Sequence, residues 1–132
     1  MDIEIINASR IFLRECKFAV FAQNLKTKIR IVLKSDYFMD MYYNKTLGKY
    51  AYTLVKENRR IIGWDNAPHH KGLDNFPHHF HTADGQTIPS KLKGNPETDV
   101  YILIEVVNKF FVSTQHTIKM KRRQQRKTTS ST

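Results

Sequence analysis

The sequence predicts an α+β domain, an antiparallel sheet of about five strands covered on one face by a C-terminal helix. Three observations predict it. Short apolar runs with period-two alternation follow one another between residues 18 and 64, separated by brief polar turns. Apolar residues then recur at three-and-four spacing from Val100 to Phe111. Between them lies a stretch rich in proline and histidine and poor in aliphatic residues.

Residues 2–15 fit either a helix or an edge strand, with Ile5, Ile6, Ile11 and Phe12 as the apolar positions. Phe18–Gln23 and Ile29–Leu33 read as strands, parted by Asn24 and Lys26-Thr27-Lys28. Ser35-Asp36 breaks the run before Tyr37–Tyr43, where Tyr37, Met39, Met41 and Tyr43 share one face and Phe38, Asp40 and Tyr42 the other. Lys45–Lys49 contains Gly48 and reads as a turn. Tyr50, Tyr52 and Leu54 alternate again, Lys56–Arg59 is a compact polar connection, and Arg60–Trp64 returns as a strand. Such even spacing with short turns argues for a meander. Residues 65–95 read as one long loop, and long loops in small domains tend to be functional or disordered. Asn95-Pro96-Glu97-Thr98 has the proline and acid of a helix start.

At 132 residues, with 40% hydrophobic and 26% charged, the chain suits one soluble domain and leaves no room for a second core. It shows no apolar run of membrane-spanning length and no secretory leader, and its single cysteine, Cys16, suits a reducing compartment. The cytoplasm is the expected location. The net charge is +10, and six basic residues with no acid fall from Lys119 onward, leaving +4 for residues 1–118. We therefore expect one domain over 1–118, with its histidine-rich loop at 65–95, and a basic, disordered tail over 119–132. Such a tail favours nucleic acid or an acidic protein as partner.

Five of the six histidines fall in one window: His69, His70, His78, His79 and His81. Residues 65–70 and 74–79 repeat the pattern Asp-Asn-x-Pro-His-His, nine positions apart. Each proline constrains the residue before it to an extended backbone, and alternation along an extended chain puts His79 and His81 on one face. One histidine of each pair can then face a common pocket while the other packs.

Three chemistries fit this cluster. Histidine can serve as general base and general acid in metal-independent RNA cleavage, with Arg60 or Lys71 countering charge on phosphorus. Neutral imidazoles can instead hold a divalent metal, with Asp65 or Asp74 adding a carboxylate, although the spacing matches no established zinc signature. The histidines can also simply order the loop through bonds to backbone carbonyls. Cys16 looks like a small buried residue, and the nucleophile-elbow, dinucleotide and P-loop motifs are lacking. Tyr37, Tyr42, Tyr43, Tyr50 and Tyr52 can stack on bases or fill the sheet surface, and strand propensity favours the second.

The string Trp64–His70, followed by Phe76-Pro77-His78-His79-Phe80-His81, resembles the TumE family of prokaryotic toxin–antitoxin toxins. In that family a tyrosine-bearing strand pair and an apolar strand precede Asp-Asn-x-Pro-His-His and Phe-Pro-His-His-x-His, and a C-terminal helix follows. The match covers roughly Phe18 to Phe111. Where the family usually has an arginine just before Asp-Asn, this chain has Gly63-Trp64, with Arg59 and Arg60 upstream. The basic segment after His116 lies beyond the shared pattern. The resemblance implies toxicity and a helix-turn-helix antitoxin as partner; it leaves catalysis and oligomeric state open. The reading that joins these strands is a toxin acting on RNA as a metal-independent acid–base ribonuclease. Its catalytic candidates are Asp65, His69, His70, His78, His79 and His81, and its RNA-binding candidates are Arg60, Lys71, Lys121, Arg122 and Arg123. No cofactor is expected under that reading. A metal-dependent nuclease using the same histidines, and a non-catalytic module binding through tail and tyrosines, are the alternatives.

Overall fold

The computed structural model describes residues 1–130, with side chains for residues 1–127. Helix α1 (Ile3–Glu15) leads into seven strands: β1 (Ala19–Asn24), β2 (Ile29–Leu33), β3 (Tyr37–Asn44), β4 (Lys49–Lys56), β5 (Arg59–Asp65), β6 (His79–His81) and β7 (Thr87–Pro89). Helix α2 (Pro96–Ser130) closes the chain. Each strand pairs antiparallel with the next, so sheet order equals chain order.

Tight turns set this register. Ser35-Asp36 and Glu57-Asn58 have positive φ at both residues, the backbone that matches a two-residue hairpin to the strand twist. Alternation then sends Met39, Leu54 and Ile62 to one face as cross-strand partners, with Met41, Tyr52, Trp64 and Phe80 in the neighbouring row. Both helices cover that face. Phe18 stacks on Phe111 at 4.7 Å, and Tyr37 meets the edges of Phe110 and Phe111. Ile5, Ala8 and Phe12 of α1 and Val100, Leu103 and Val107 of α2 are fully buried there. Each large aliphatic or aromatic side chain so buried contributes roughly 1.5–3 kcal/mol.

The junction of the helices is polar and specific. Asn108 of α2 accepts from the Cys16 thiol and the Lys17 amide at the end of α1. Burial pushes the Cys16 thiol up, which keeps it protonated and unreactive. Asn95 caps α2 through the Glu97 amide, while buried Asp99 accepts from the Lys93 and Gly94 amides.

The structure decides one open reading and differs from the sequence reading in two places. Residues 2–15, read as helix or edge strand, hold helix α1 over Ile3–Glu15. The stretch 65–95, expected as a loop, contributes β6 and β7, which raises the strand count from about five to seven. These strands are three residues each, too short to show a period, and Pro89 is tolerated because β7 is an edge. Of the tail expected to be disordered over 119–132, residues 119–130 continue α2 as a helix with side chains exposed as far as Lys127, and residues 131–132 lie outside the described residues. Lys, Arg and Gln are good helix formers, and no proline or glycine interrupts the segment. No helix among the described residues is long and apolar enough to cross a membrane.

Candidate functional site

The face of the sheet turned away from the helices carries the polar row that matters. Tyr42, Ala51, Asp65 and His79 are successive cross-strand partners, and in the next row so are Arg30, Asp40, Thr53, Gly63 and His81. Asp65, the last residue of β5, accepts from the Ala67 amide, which turns the chain sharply out of the sheet. Asn66 then ties this exit to the β3–β4 turn, accepting from the Tyr50 amide and donating to the Gly48 carbonyl. In the second block Asn75 donates to the carbonyls of Ser90 and Leu92, which brings the chain back for β6. The two asparagines are thus splints.

Asp65 is the hub. Its Oδ1 lies 2.8 Å from His79 Nε2 and its Oδ2 lies 2.9 Å from His81 Nε2. The His70 ring stands edge-on to His79 at 4.8 Å and to His81 at 6.4 Å. His79 is 3% exposed, against 16% for His81 and 21% for Asp65.

The partners assign the protons. His79 Nδ1 lies 3.1 Å from the Pro77 carbonyl, which can only accept, so Nδ1 carries hydrogen. The other ring nitrogen, Nε2, lies at ion-pairing distance from Asp65 Oδ1. His81 donates from Nε2 to Asp65, and the Thr87 hydroxyl lies 3.4 Å from its Nδ1. Burial lowers the His81 pKa; the bond to Asp65 opposes this, and the charges of Arg60 and His79 add to the lowering. His81 is therefore held neutral with an Nδ1 lone pair, the form a general base needs.

Beside the hub runs a groove of about 480 Å³, lined by Tyr42, Lys49, Ala51, Thr53, Arg60, Pro68 and His69 among others. Gly63 shapes its end. A Cβ there would lie 3.2 Å from Arg60 Cδ and 3.2 Å from the Tyr52 carbonyl oxygen, so the absence of a side chain lets the Arg60 stem cross the sheet. The arginine charge reaches the site from the start of β5 rather than from the residue before Asp65-Asn66.

A sequence model of the family described as toxin TumE matches residues 2–115. The chain belongs to the toxin TumE family. No curated protein and no solved structure matches the chain. As a TumE toxin it is one half of a pair, since the family implies an antitoxin partner. The match ends at Gln115, so the exposed basic end of α2 lies outside the part matched to TumE.

Within this TumE domain the six candidate residues part company. Asp65, His70, His79 and His81 converge. His69 is exposed on the groove wall. His78 points to the other side of the chain, where its Nδ1 is 2.8 Å from the Tyr50 hydroxyl and its ring stacks on Tyr50. Lys71 is exposed on the turn after His70, and Lys121, Arg122 and Arg123 lie on the exposed end of α2. Of the tyrosines, Tyr37, Tyr50 and Tyr52 are buried beneath the helices, and Tyr42 lies on the open face. Thr87, the Pro77 carbonyl, Ala51 and Thr53 join the site without any motif to announce them.

Proposed function

We propose that this TumE toxin acts on RNA, cleaving it by metal-independent acid–base chemistry at Asp65, His79, His81 and His70. One observation carries the reading: a carboxylate holds two imidazoles by their Nε2 atoms, leaving a neutral His81 Nδ1 beside the Arg60 charge. In this scheme Asp65 fixes the His81 tautomer, as a buried carboxylate does for a catalytic histidine elsewhere. His81 Nδ1 takes the proton of a ribose 2′-hydroxyl. The 2′-oxygen bonds to phosphorus while the bond from phosphorus to the 5′-oxygen breaks. His70 in its cationic form, with no ring-nitrogen partner among the described residues, delivers the proton to that oxygen. Arg60 balances the charge that gathers on the phosphoryl oxygens. The products are a 2′,3′-cyclic phosphate and a 5′-hydroxyl. The exposed basic end of α2 adds sequence-independent affinity for RNA. The partner that restrains this activity in the cytoplasm is, on this reading, a helix-turn-helix antitoxin.

The test is cleavage of total RNA by the purified chain, with and without EDTA, against His79→Ala and His81→Ala variants. Cleavage that survives EDTA, leaves cyclic phosphate ends and disappears in both variants is expected. No cleavage by folded protein in either buffer would overturn the reading.

A second reading rests on one further feature. The three ligand atoms of Asp65, His79 and His81 lie within 4.8 Å of one another, and the outer nitrogen of His79 faces a backbone carbonyl, as metal-bound imidazoles usually do. Cleavage lost to EDTA and restored by zinc or manganese would establish that alternative.

A further inference from the structure

We infer that the groove beside Asp65 is a subsite for one unpaired RNA base, stacked on Tyr42, with its flanking phosphates drawn to Lys49 and Arg60. This rests on the RNA reading above and narrows it to single-stranded substrate. The groove, at about 480 Å³, lies in the usual range for small-ligand sites. Its floor is cut low by two small side chains, Ala51 and Thr53, which follow one another on the open face of β4. Tyr42 stands against that floor as the cross-strand partner of Ala51. Unlike Tyr50 and Tyr52, which stack on each other under the helices, Tyr42 has no ring contact and no hydrogen bond among the described residues. It is an aromatic face left unused.

The cations are equally uncommitted. Neither Lys49 nor Arg60 enters an ion pair among the described residues, whereas Lys28 and Arg30 on the same face are both neutralised by Asp40. Lys49 opens β4 and Thr53 lies four residues along it, about 13 Å at the rise of an extended strand. Arg60 crosses Gly63 near the Thr53 end. An aromatic wall between two unpaired cations, over a floor of small side chains, suits a base with a phosphate on either side. A duplex cannot use it, because its bases are stacked and its edges paired. The subsite also lies directly against Asp65, whose cross-strand partner is Ala51, so a base held there brings its own ribose to the imidazoles.

The probe is a 2′-O-methylated trinucleotide, uridine–2-aminopurine–uridine, which has no free 2′-hydroxyl to attack phosphorus and loses fluorescence when its central base stacks. The full chain is expected to quench it. Tyr42→Ala should abolish quenching and raise Kd at least tenfold, and Tyr42→Phe should restore both. Ala51→Ile, which fills the floor, should weaken binding with melting temperature unchanged. Equal quenching and affinity in the wild type and in Tyr42→Ala would overturn the subsite. A wild type that cleaves RNA yet fails to bind the trinucleotide would overturn it too, leaving the ribonuclease reading intact. A wild type that neither binds nor cleaves any RNA would overturn both.

Discussion

Replacing Asp65 by Asn separates the roles of charge and shape at the hub. The carboxylate accepts hydrogen bonds from His81 and the Ala67 amide and lies 2.8 Å from His79 Nε2. The amide keeps one oxygen and presents an NH2 group where the second oxygen was. If the oxygen stays with His79 and the Ala67 amide, the NH2 faces His81 Nε2, which must become an acceptor. The ring then carries its hydrogen on Nδ1, and the lone pair needed for proton abstraction is gone. The same exchange in a serine-protease triad costs about 10⁴ in rate through the wrong tautomer, so a fall of about 10³–10⁴ in kcat is expected. That corresponds to about 4–5.5 kcal/mol of lost transition-state stabilisation. Stability should suffer less. Hydrogen bonds to charged groups are worth roughly 1.5–3 kcal/mol each, and Asp65 is 21% exposed and keeps part of its bonding, so about 1–3 kcal/mol is expected. Single-turnover cleavage of a defined RNA, a melting curve and ¹⁵N spectra of the imidazoles read the three quantities separately. A variant that cleaves within threefold of the wild-type rate while its spectra show the His81 proton moved to Nδ1 would refute the mechanism.

Other consequences are more local. Because burial lowers the His81 pKa from its ordinary 6.5, the acid limb of kcat/KM should have its midpoint below 6.5; a midpoint above 6.5 would exclude His81 as the base. The same lowering makes its contribution to stability complete above 6.5 and lost as pH falls toward the folded value, which denaturant titrations at pH 7 and pH 5 would register. His78→Ala, which leaves the Tyr50 hydroxyl without its partner, should cost about 1–3 kcal/mol in a melting or urea experiment yet leave kcat within twofold. Tyr52→Phe removes a buried hydroxyl that has no hydrogen-bond partner among the described residues, and should raise stability by about 1 kcal/mol, so a lower melting temperature would contradict this packing. Deleting residues 119–132 should weaken RNA affinity and flatten its dependence on salt while leaving kcat at saturating RNA unchanged. An unchanged salt slope would show that the end of α2 does not touch RNA.

Much of the fold is legible because its signals are local. The alternation of Tyr37, Met39 and Met41 against Phe38, Asp40 and Tyr42 gives β3 its faces directly, and Ser35-Asp36 and Lys56–Arg59 announce the hairpins around it. What stays hidden depends on long-range pairing. His79–His81 is a strand only because Asp65, Trp64 and Gly63 lie opposite, and nothing within three residues can reveal that. Helix at the end of α2 is hidden for another reason: composition reports that residues 119–127 have no core to join, which is correct, and says little about whether the backbone stays helical in water. The site shows the same division. The motif marks Asp65 and the histidines, but the partners that fix their protons are a proline carbonyl and a threonine on the edge strand, placed by the fold alone.

Strand parity then sorts the residues that the motif cannot. His78, His79, Phe80 and His81 are consecutive, so their side chains alternate between the faces whatever their chemistry. Once Phe80 is committed to Trp64 beneath the helices, His79 and His81 must emerge on the open face, and His78 must turn inward to Tyr50. The same rule acts on the partner strand, where Trp64 goes to the core and Asp65 and Gly63 go outward. A carboxylate opposite one imidazole and diagonal to the other is therefore a consequence of register. Shifting the β5–β6 pairing by one residue would turn both imidazoles toward the helices and Phe80 toward the open face. Substitutions that loosen this pairing, at Asn66 or Asn75 rather than at the histidines, should consequently damage the site as surely as losing a ligand to the proton it shares.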